Sequence, residues 1–218
     1  MRDKTILIVS AHPDDIEFGM GGTVSKLSKN NSIYSLILCK GDRPGSEEVE
    51  YTRQGAALEN ANELGIVKTQ ICDYSDVKLD TVQFLDIVRV ISNKISEINP
   101  DIVYTHYDHD IHRDHKIVSE ATKIATRPRK SSNVTEMYYF FIPGSSEWGD
   151  IDGIQFNVAE NITEEYNIKM SCISRYNTEV RDCPDPISFE KIFARDAYYG
   201  GLYGYDKAEV FRLVFKRS

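Results

Sequence analysis

With 218 residues, 41% of them apolar and 28% charged, the chain has the size and composition of one medium soluble domain with a full hydrophobic core, expected to span residues 1–218. Its formal charge of −8, from 34 acidic and 26 basic side chains, gives no support to nucleic-acid binding or to adhesion on anionic membranes, although a local arginine can still serve an anionic substrate. The first apolar run, Thr5 to Ala11, is too short for a signal-peptide core or a membrane span, and Cys39, Cys72, Cys172 and Cys183 form no CxxC pair. Both point to a reduced, cytoplasmic protein, in which the glycosylation patterns at Asn133 and Asn161 are incidental.

Residues 5–10, TILIVS, lack polar alternation and read as a central strand covered on both faces. Gly19-Met20-Gly21-Gly22-Thr23 then opens a helical stretch to about Asn30. A second strand, Ile33 to Cys39, ends in the loop KGDRPGSE. A helix follows from Glu47 to Leu64, with Tyr51, Leu58, Ala61 and Leu64 as its apolar positions and Gly65 as its stop. Ile66 to Cys72 is a third strand. From Thr81 to Ile98 apolar residues recur at helical spacing up to the boundary at Pro100. Asp101 to Thr105 reads as a fourth strand, followed by a helix from Arg113 to Ala125.

Beyond Pro128 strands are expected at Met137–Ile142 and Gln155–Val158, joined by the turn PGSSEWGD, and helices at Thr163–Tyr176 and Ser188–Tyr199. The aromatic tail GGLYGYDKAEVFRLV reads as core or subunit interface, with closure over a cleft as the other option. Strands alternating with helices predict an α/β, Rossmann-like, mostly parallel sheet with helices on both faces and a small C-terminal strand and helix extension. Such sheets bind ligands beyond the carboxyl ends of their strands.

All of the chain's 5 histidines lie at two such strand ends. His12 sits in Ala11-His12-Pro13-Asp14-Asp15, and the others in HYDHDIHRDH, residues 106–115. Imidazole and carboxylate together suit zinc and its first-row neighbours. His12 and Asp15, like His112 and His115, are spaced to face one way on a helical turn. His12, Asp15 and His115 form a three-ligand site with a fourth place for water, the pattern of a catalytic rather than a structural zinc. Asp14 is then a spare carboxylate suited to act as general base, and Asp114 can fix an imidazole tautomer. Taken singly, HPDD could be a helix-capping turn and 106–115 an exposed acidic loop. Both alternatives weaken because the two stretches start at strand ends of one sheet.

AHPDDIEFGMGG followed by HRDH resembles the PIG-L and LmbE-like family of zinc-dependent N-acetylglucosaminyl deacetylases, with the first signature at Ala11–Asp15 and Gly19–Thr23 and the second at His112, Asp114 and His115. The resemblance implies zinc, or another divalent first-row metal, on His12, Asp15 and His115, with Asp14 as base. It implies that His112, in its charged form, stabilises the oxyanion or protonates the leaving amine, and that Asp114 tunes a histidine. Arg53 resembles the family's substrate-facing helix arginine, although Ala56 stands where an acidic residue is usual. The tail KAEVF resembles the family's A-E-x-F ending, while Asn177-Thr178 departs from its serine-glutamine pair. His106 and His109 are additional, and Tyr107, Tyr176 and Tyr203 are candidates to complete the oxyanion site.

The implied reaction removes the N-acetyl group from an N-acetylglucosamine-containing conjugate and releases acetate. The alternatives are a metal-dependent hydrolase of another amide or ester, for which His106, Asp108 and Asp110 keep a two-metal site open, and a non-catalytic sugar- or nucleotide-binding module. A small-molecule acetamido-sugar partner, no nucleic acid, no transmembrane segment and a homo-oligomeric state complete the expectations.

Overall fold

The computed structural model describes residues 2–42, 47–130, 132–149 and 152–217, and the side chains of 47–51 lie outside the description, so that the expected apolar position Tyr51 and residues 43–46 of the loop KGDRPGSE fall outside it. In chain order the elements are β1 (Thr5–Ser10), α1 (Asp15–Ser28), β2 (Ser32–Cys39), α2 (Glu47–Glu63), β3 (Lys68–Tyr74), α3 (Phe84–Ile98), β4 (Ile102–His106), α4 (Arg113–Thr126), β5 (Glu136–Phe140), β6 (Val158–Asn161), α5 (Tyr166–Ser174), α6 (Phe189–Tyr203) and β7 (Ala208–Lys216), with short 3-10 turns at Leu79–Thr81 and Ser146–Trp148. They form one sheet in the order β3-β2-β1-β4-β5-β7-β6. β3, β2, β1, β4 and β5 run parallel, and β7 pairs antiparallel with both β5 and β6.

The unbroken apolar run of β1 follows from burial on both faces. Ile6 and Ile8 join a core with Ile16, Met20 and Val24 of α1 and Cys172 of α5. Leu7 and Val9 join another with Ile87 and Ile91 of α3 and Val118 and Ala121 of α4. The α1 connection from β1 to β2 and the α3 connection from β3 to β4 thus lie on opposite faces, which opens a crevice between the carboxyl ends of β1 and β4. Ala56, Ala57 and Ala61 of α2, and Leu64 just after it, turn inward, whereas Leu58 faces solvent.

The first helix differs from its expectation. It begins at Asp15, ahead of the glycines, and is interrupted at Met20, whose φ of −153° and ψ of 21° are not helical. Its glycines serve packing: a Cβ on Gly19 would sit 2.7 Å from the Phe140 ring and one on Gly22 2.8 Å from Ile162 Cβ. The second half of α1 starts with free N–H groups on Gly22 and Thr23. The Glu209 carboxylate of β7 accepts both, at 3.1 and 2.7 Å. Lys169 Nζ of α5 lies 2.9 Å from Glu209 and 2.7 Å from Asp196 of α6, so a buried charge cluster fastens the glycine motif to the sheet.

Other differences are shifts at element ends. β3 runs later than Ile66–Cys72, and β6 starts where the strand expected at Gln155–Val158 was to end. The tail becomes β7, an inner strand with Val210 and Phe211 in the core, and none of it lines the cleft described below.

Candidate active site

Pro13 follows His12 directly after β1, and the chain turns at Asp14, where φ is 151°, into the start of α1 at Asp15. The His12 N–H donates to Asp15 Oδ2 at 2.6 Å, folding the first motif on itself. The second motif is built by α4. His112 is its N-cap and accepts the Asp114 N–H on Nδ1 at 3.2 Å, while Asp110 Oδ1 accepts the His112 N–H at 2.7 Å. His115 then sits one turn into the helix, in the crevice beside β1.

The three ligands expected from the sequence converge. His12 Nδ1 lies 3.3 Å from His115 Nε2, His115 Nε2 lies 3.3 Å from Asp15 Oδ1, and His12 Nδ1 lies 3.5 Å from Asp15 Oδ2. Metal bonds of about 2.0–2.1 Å in a tetrahedral array set ligand atoms about 3.3–3.4 Å apart, and each of these pairs lies near that spacing, His115 against one Asp15 oxygen and His12 against the other. The far nitrogen of each imidazole meets a carboxylate: His12 Nε2 is 3.1 Å from Asp114 Oδ2, and His115 Nδ1 is 3.2 Å from Asp110 Oδ1. The hydrogen bond to Asp114 places the His12 ring proton on the far side and frees its near nitrogen as a donor to a cation, and the Asp110 carboxylate favours the same tautomer at His115.

Electrostatics agrees with a cation site. Burial opposes charge on His12, but Asp114 and Asp15 outweigh it and hold its pKa well above the ordinary value; burial is likewise outweighed by Asp15 and Asp110 at His115, raised to about 9. Burial also disfavours the Asp15 anion, yet His115 and His106 hold its pKa well below the usual carboxylate range. The carboxylates draw positive charge onto this cluster, and the residues fit a bound divalent metal.

His112 faces the same space, with its ring 4.8 Å from that of His12 and 4.4 Å from that of His115. Burial and the neighbouring His115 and His12 push its pKa down to about 4. With Nδ1 occupied by the Asp114 N–H, its remaining proton is on Nε2. Asp114 is buried beneath the site and couples to His12 rather than to the His112 side-chain donor.

Asp14 lines the cleft beside the donors. Burial, with Asp15 and Glu179 nearby, raises its pKa to about 7 against the opposing charges of Arg53 and His12. Arg53 reaches it from α2 at 3.1 Å, and also meets Asp76 at 2.6 Å, Glu179 at 3.5 Å and the Gly41 carbonyl at 3.2 Å. Its partners therefore come from four other segments rather than from the Ala56 position, and its charge is committed to the three carboxylates among them.

Sequence reasoning missed Asp76 and Glu179, and left Asp110 only as a possible second-metal ligand. Asp110 is held by Ser145 at 2.9 Å and Ser146 at 2.6 Å, from the loop after β5. His106 is buried, stacked on His115 with ring centres 4.0 Å apart, and its Nε2 lies 2.9 Å from the Ala11 nitrogen. His109 is exposed, and Asp108 pairs with Lys123 and Tyr139. Tyr107, Tyr176 and Tyr203 do not line the cleft. The cleft, of about 780 Å³, is bordered by the metal-site residues and by Phe18, Asp42, Asp76, Val77, Lys78, Ile142–Ser145, Glu179, Arg181 and Asp185–Ile187. Among the described residues no helix is long and apolar enough to cross a membrane, and the cysteines are free.

The PIG-L family profile, described as GlcNAc-PI de-N-acetylase, matches residues 7–126. The uncharacterized deacetylase YaiS of Escherichia coli K12 is 26% identical over 185 residues, 81% of this chain and 92% of that protein. Among solved structures, N,N'-diacetylchitobiose deacetylase from Pyrococcus horikoshii superposes with a TM-score of 0.77 at 20% identity, over 97% of this chain and 84% of the other. GalB, the 4-carboxy-2-hydroxymuconate hydratase of Pseudomonas putida KT2440, superposes with a TM-score of 0.74 at 18% identity, over 99% and 98%. At these identities the superpositions show a shared fold, and the hydratase shows that the fold alone does not fix the reaction.

Proposed function

The chain belongs to the PIG-L family, and on that premise we propose that it removes the N-acetyl group from an N-acetylglucosamine-containing conjugate by metal-assisted hydrolysis. The observation that carries this reading is the convergence of His12 Nδ1, Asp15 and His115 Nε2 at 3.3 to 3.5 Å on the cleft floor, with Asp14 beside them. Those three residues would hold a divalent cation, zinc by its ligand chemistry, which supplies Lewis acidity toward the acetyl carbonyl and acidifies water.

The chain's own groups supply the rest. Asp14 accepts a proton from the attacking water, and Arg53 fixes the Asp14 carboxylate in place. As the water oxygen bonds to the acetyl carbon, the carbonyl oxygen gains negative charge, and His112 Nε2–H is placed to donate to it. The C–N bond then breaks, the proton held on Asp14 passes to the departing nitrogen, and acetate and a free amine result. Asp114 and Asp110 keep the His12 and His115 rings in the required tautomers. The deacetylase names of YaiS and of the Pyrococcus enzyme support amide hydrolysis over hydration.

The test is acetate release by zinc-loaded protein, with a chelated control, across N-acetylglucosamine conjugates differing in what the sugar carries. Chelator-sensitive release from one member is the expected result. Silence across the panel, with one metal bound per chain, would remove the proposed reaction.

A further inference from the structure

His106 has no part in the reaction proposed above, yet from a position with no solvent exposure its side chain touches the surroundings of all three cation ligands. Its Nε2 accepts the Ala11 N–H at 2.9 Å, on the stretch that leads into His12. The Ala11 carbonyl accepts the Cys39 N–H at 2.8 Å, so Ala11 is fixed by β4 on one side and by β2 on the other. Asp15 Oδ2 lies 3.1 Å from the same Nε2. The His106 ring stacks on that of His115, with an interplanar angle of 4° and centres 4.0 Å apart. One turn further along α4, the Ser119 hydroxyl donates to the His106 carbonyl at 2.8 Å. The end of β4 thus holds α4 at two successive turns, and the first of them carries His115.

His106 is near enough to be taken for a ligand itself, since Asp15, His106 and His115 bring donor atoms within 4.8 Å of one another. Two observations speak against that. A neutral imidazole has one lone pair to offer, and the Ala11 N–H takes it at Nε2. Imidazole lone pairs also lie in the ring plane, and two stacked, nearly parallel rings do not aim theirs at one cation with bonds of about 2.0–2.1 Å. Packing does not explain the histidine either. Its Nδ1 is buried with no hydrogen-bond partner among the described residues, a cost that an apolar ring of similar shape avoids.

We infer that His106 is a positioning residue for the cation site, holding the approach to His12 through Ala11 and the His115 ring by stacking, without binding the cation. This rests on the reading of His12, Asp15 and His115 as cation ligands, not on any substrate.

The test measures zinc affinity by chelator competition, the d–d spectrum of cobalt-substituted protein and thermal melting, in wild type, His106→Phe and His106→Gln. Phenylalanine keeps a ring to stack on His115 and removes the acceptor, whereas glutamine keeps an acceptor for Ala11 and removes the ring. Each variant is expected to bind zinc about tenfold more weakly, the scale of losing an outer partner of a metal ligand, with shifted cobalt bands. A residue that serves packing alone would lower the melting temperature and leave zinc affinity and cobalt bands as in wild type, which overturns the inference. Wild type that takes up no zinc overturns the ligand reading itself, and this inference with it. Should neither variant fold, NMR of wild type loaded with NMR-active cadmium decides. Scalar coupling of the metal to the rings of His12 and His115 but not of His106, with the His106 proton on Nδ1, supports the inference. Coupling to His106, or its proton on Nε2, overturns it.

Discussion

Asp114 Oδ2 lies 3.1 Å from Nε2 of His12, joining the two sequence motifs across 102 positions of chain. The same carboxylate accepts the N–H groups of Val77 and Leu79, so one buried side chain orients the His12 imidazole and holds the turn at the edge of the cleft.

Asp114→Asn places an amide where these donors need an acceptor. Metal affinity is expected to fall about 10- to 100-fold, the usual cost of losing a carboxylate behind a ligating histidine. Competition with a chromogenic chelator measures it. Affinity equal to wild type would mean that Asp114 does not set the His12 tautomer.

His115→Ala removes a donor on which His12 and Asp15 both converge. The purified variant is expected to carry no stoichiometric zinc by elemental analysis, while His109→Ala, changed at an exposed position, keeps one per chain. Zinc retained in the first variant would shift the site toward other histidines.

Arg53→Met leaves Asp14, Asp76 and Glu179 around an uncharged side chain. Breaking a buried ion-pair group in this way costs about 3–5 kcal/mol, and urea unfolding is expected to show a loss of that order. Acetate release should fall with it, because Asp14 loses the partner that holds it. Wild-type stability would show that the carboxylates relax into solvent.

Lys169→Met strips the counter-charge from Asp196 and Glu209, and with it the anchor of the group that caps the second half of α1. A loss of about 3–5 kcal/mol is again expected. Burial opposes the Lys169 charge, but Asp196 and Glu209 outweigh it and hold the pKa above 10.5. A base raised on folding contributes stability below its unfolded pKa and loses it as pH climbs through the folded value. The gap between variant and wild type should therefore stay constant from about pH 7 to about pH 9 and close only in stronger alkali. A gap that closes near neutrality would contradict this account of the lysine.

The strand-end chemistry was legible because β1 is buried on both faces and so stands out as a run without polar alternation, with His12 directly after it. The spacing of His112 and His115 survives as a helical turn for the same local reason. Asp76 and Glu179 were not legible, since only the fold brings the segments that carry them to Arg53 and the cleft. Asp110 looked like a ligand, yet its partners Ser145 and Ser146 arrive from a loop that no local pattern links to it. The glycines of GMGGT suggested a turn, but Gly19 and Gly22 answer to Phe140 and Ile162, contacts made only in the folded sheet. β7 was hidden by its aromatic approach and by inward-facing Glu209, a charge that alternation alone would place in solvent. The two imidazoles that flank His112 and oppose a positive charge on it are invisible in a linear reading.

The most direct measurement is zinc titration of metal-free wild type and Asp14→Asn, following bound metal and acetate release together on the best conjugate. One equivalent should bind to both proteins. Release should rise to a plateau at that equivalent in the wild type and be lower by about 10²–10⁴-fold in the variant, the range for loss of a general base. Equal release from the two proteins, or a plateau only at two equivalents, would contradict a single cation on His12, Asp15 and His115 served by Asp14.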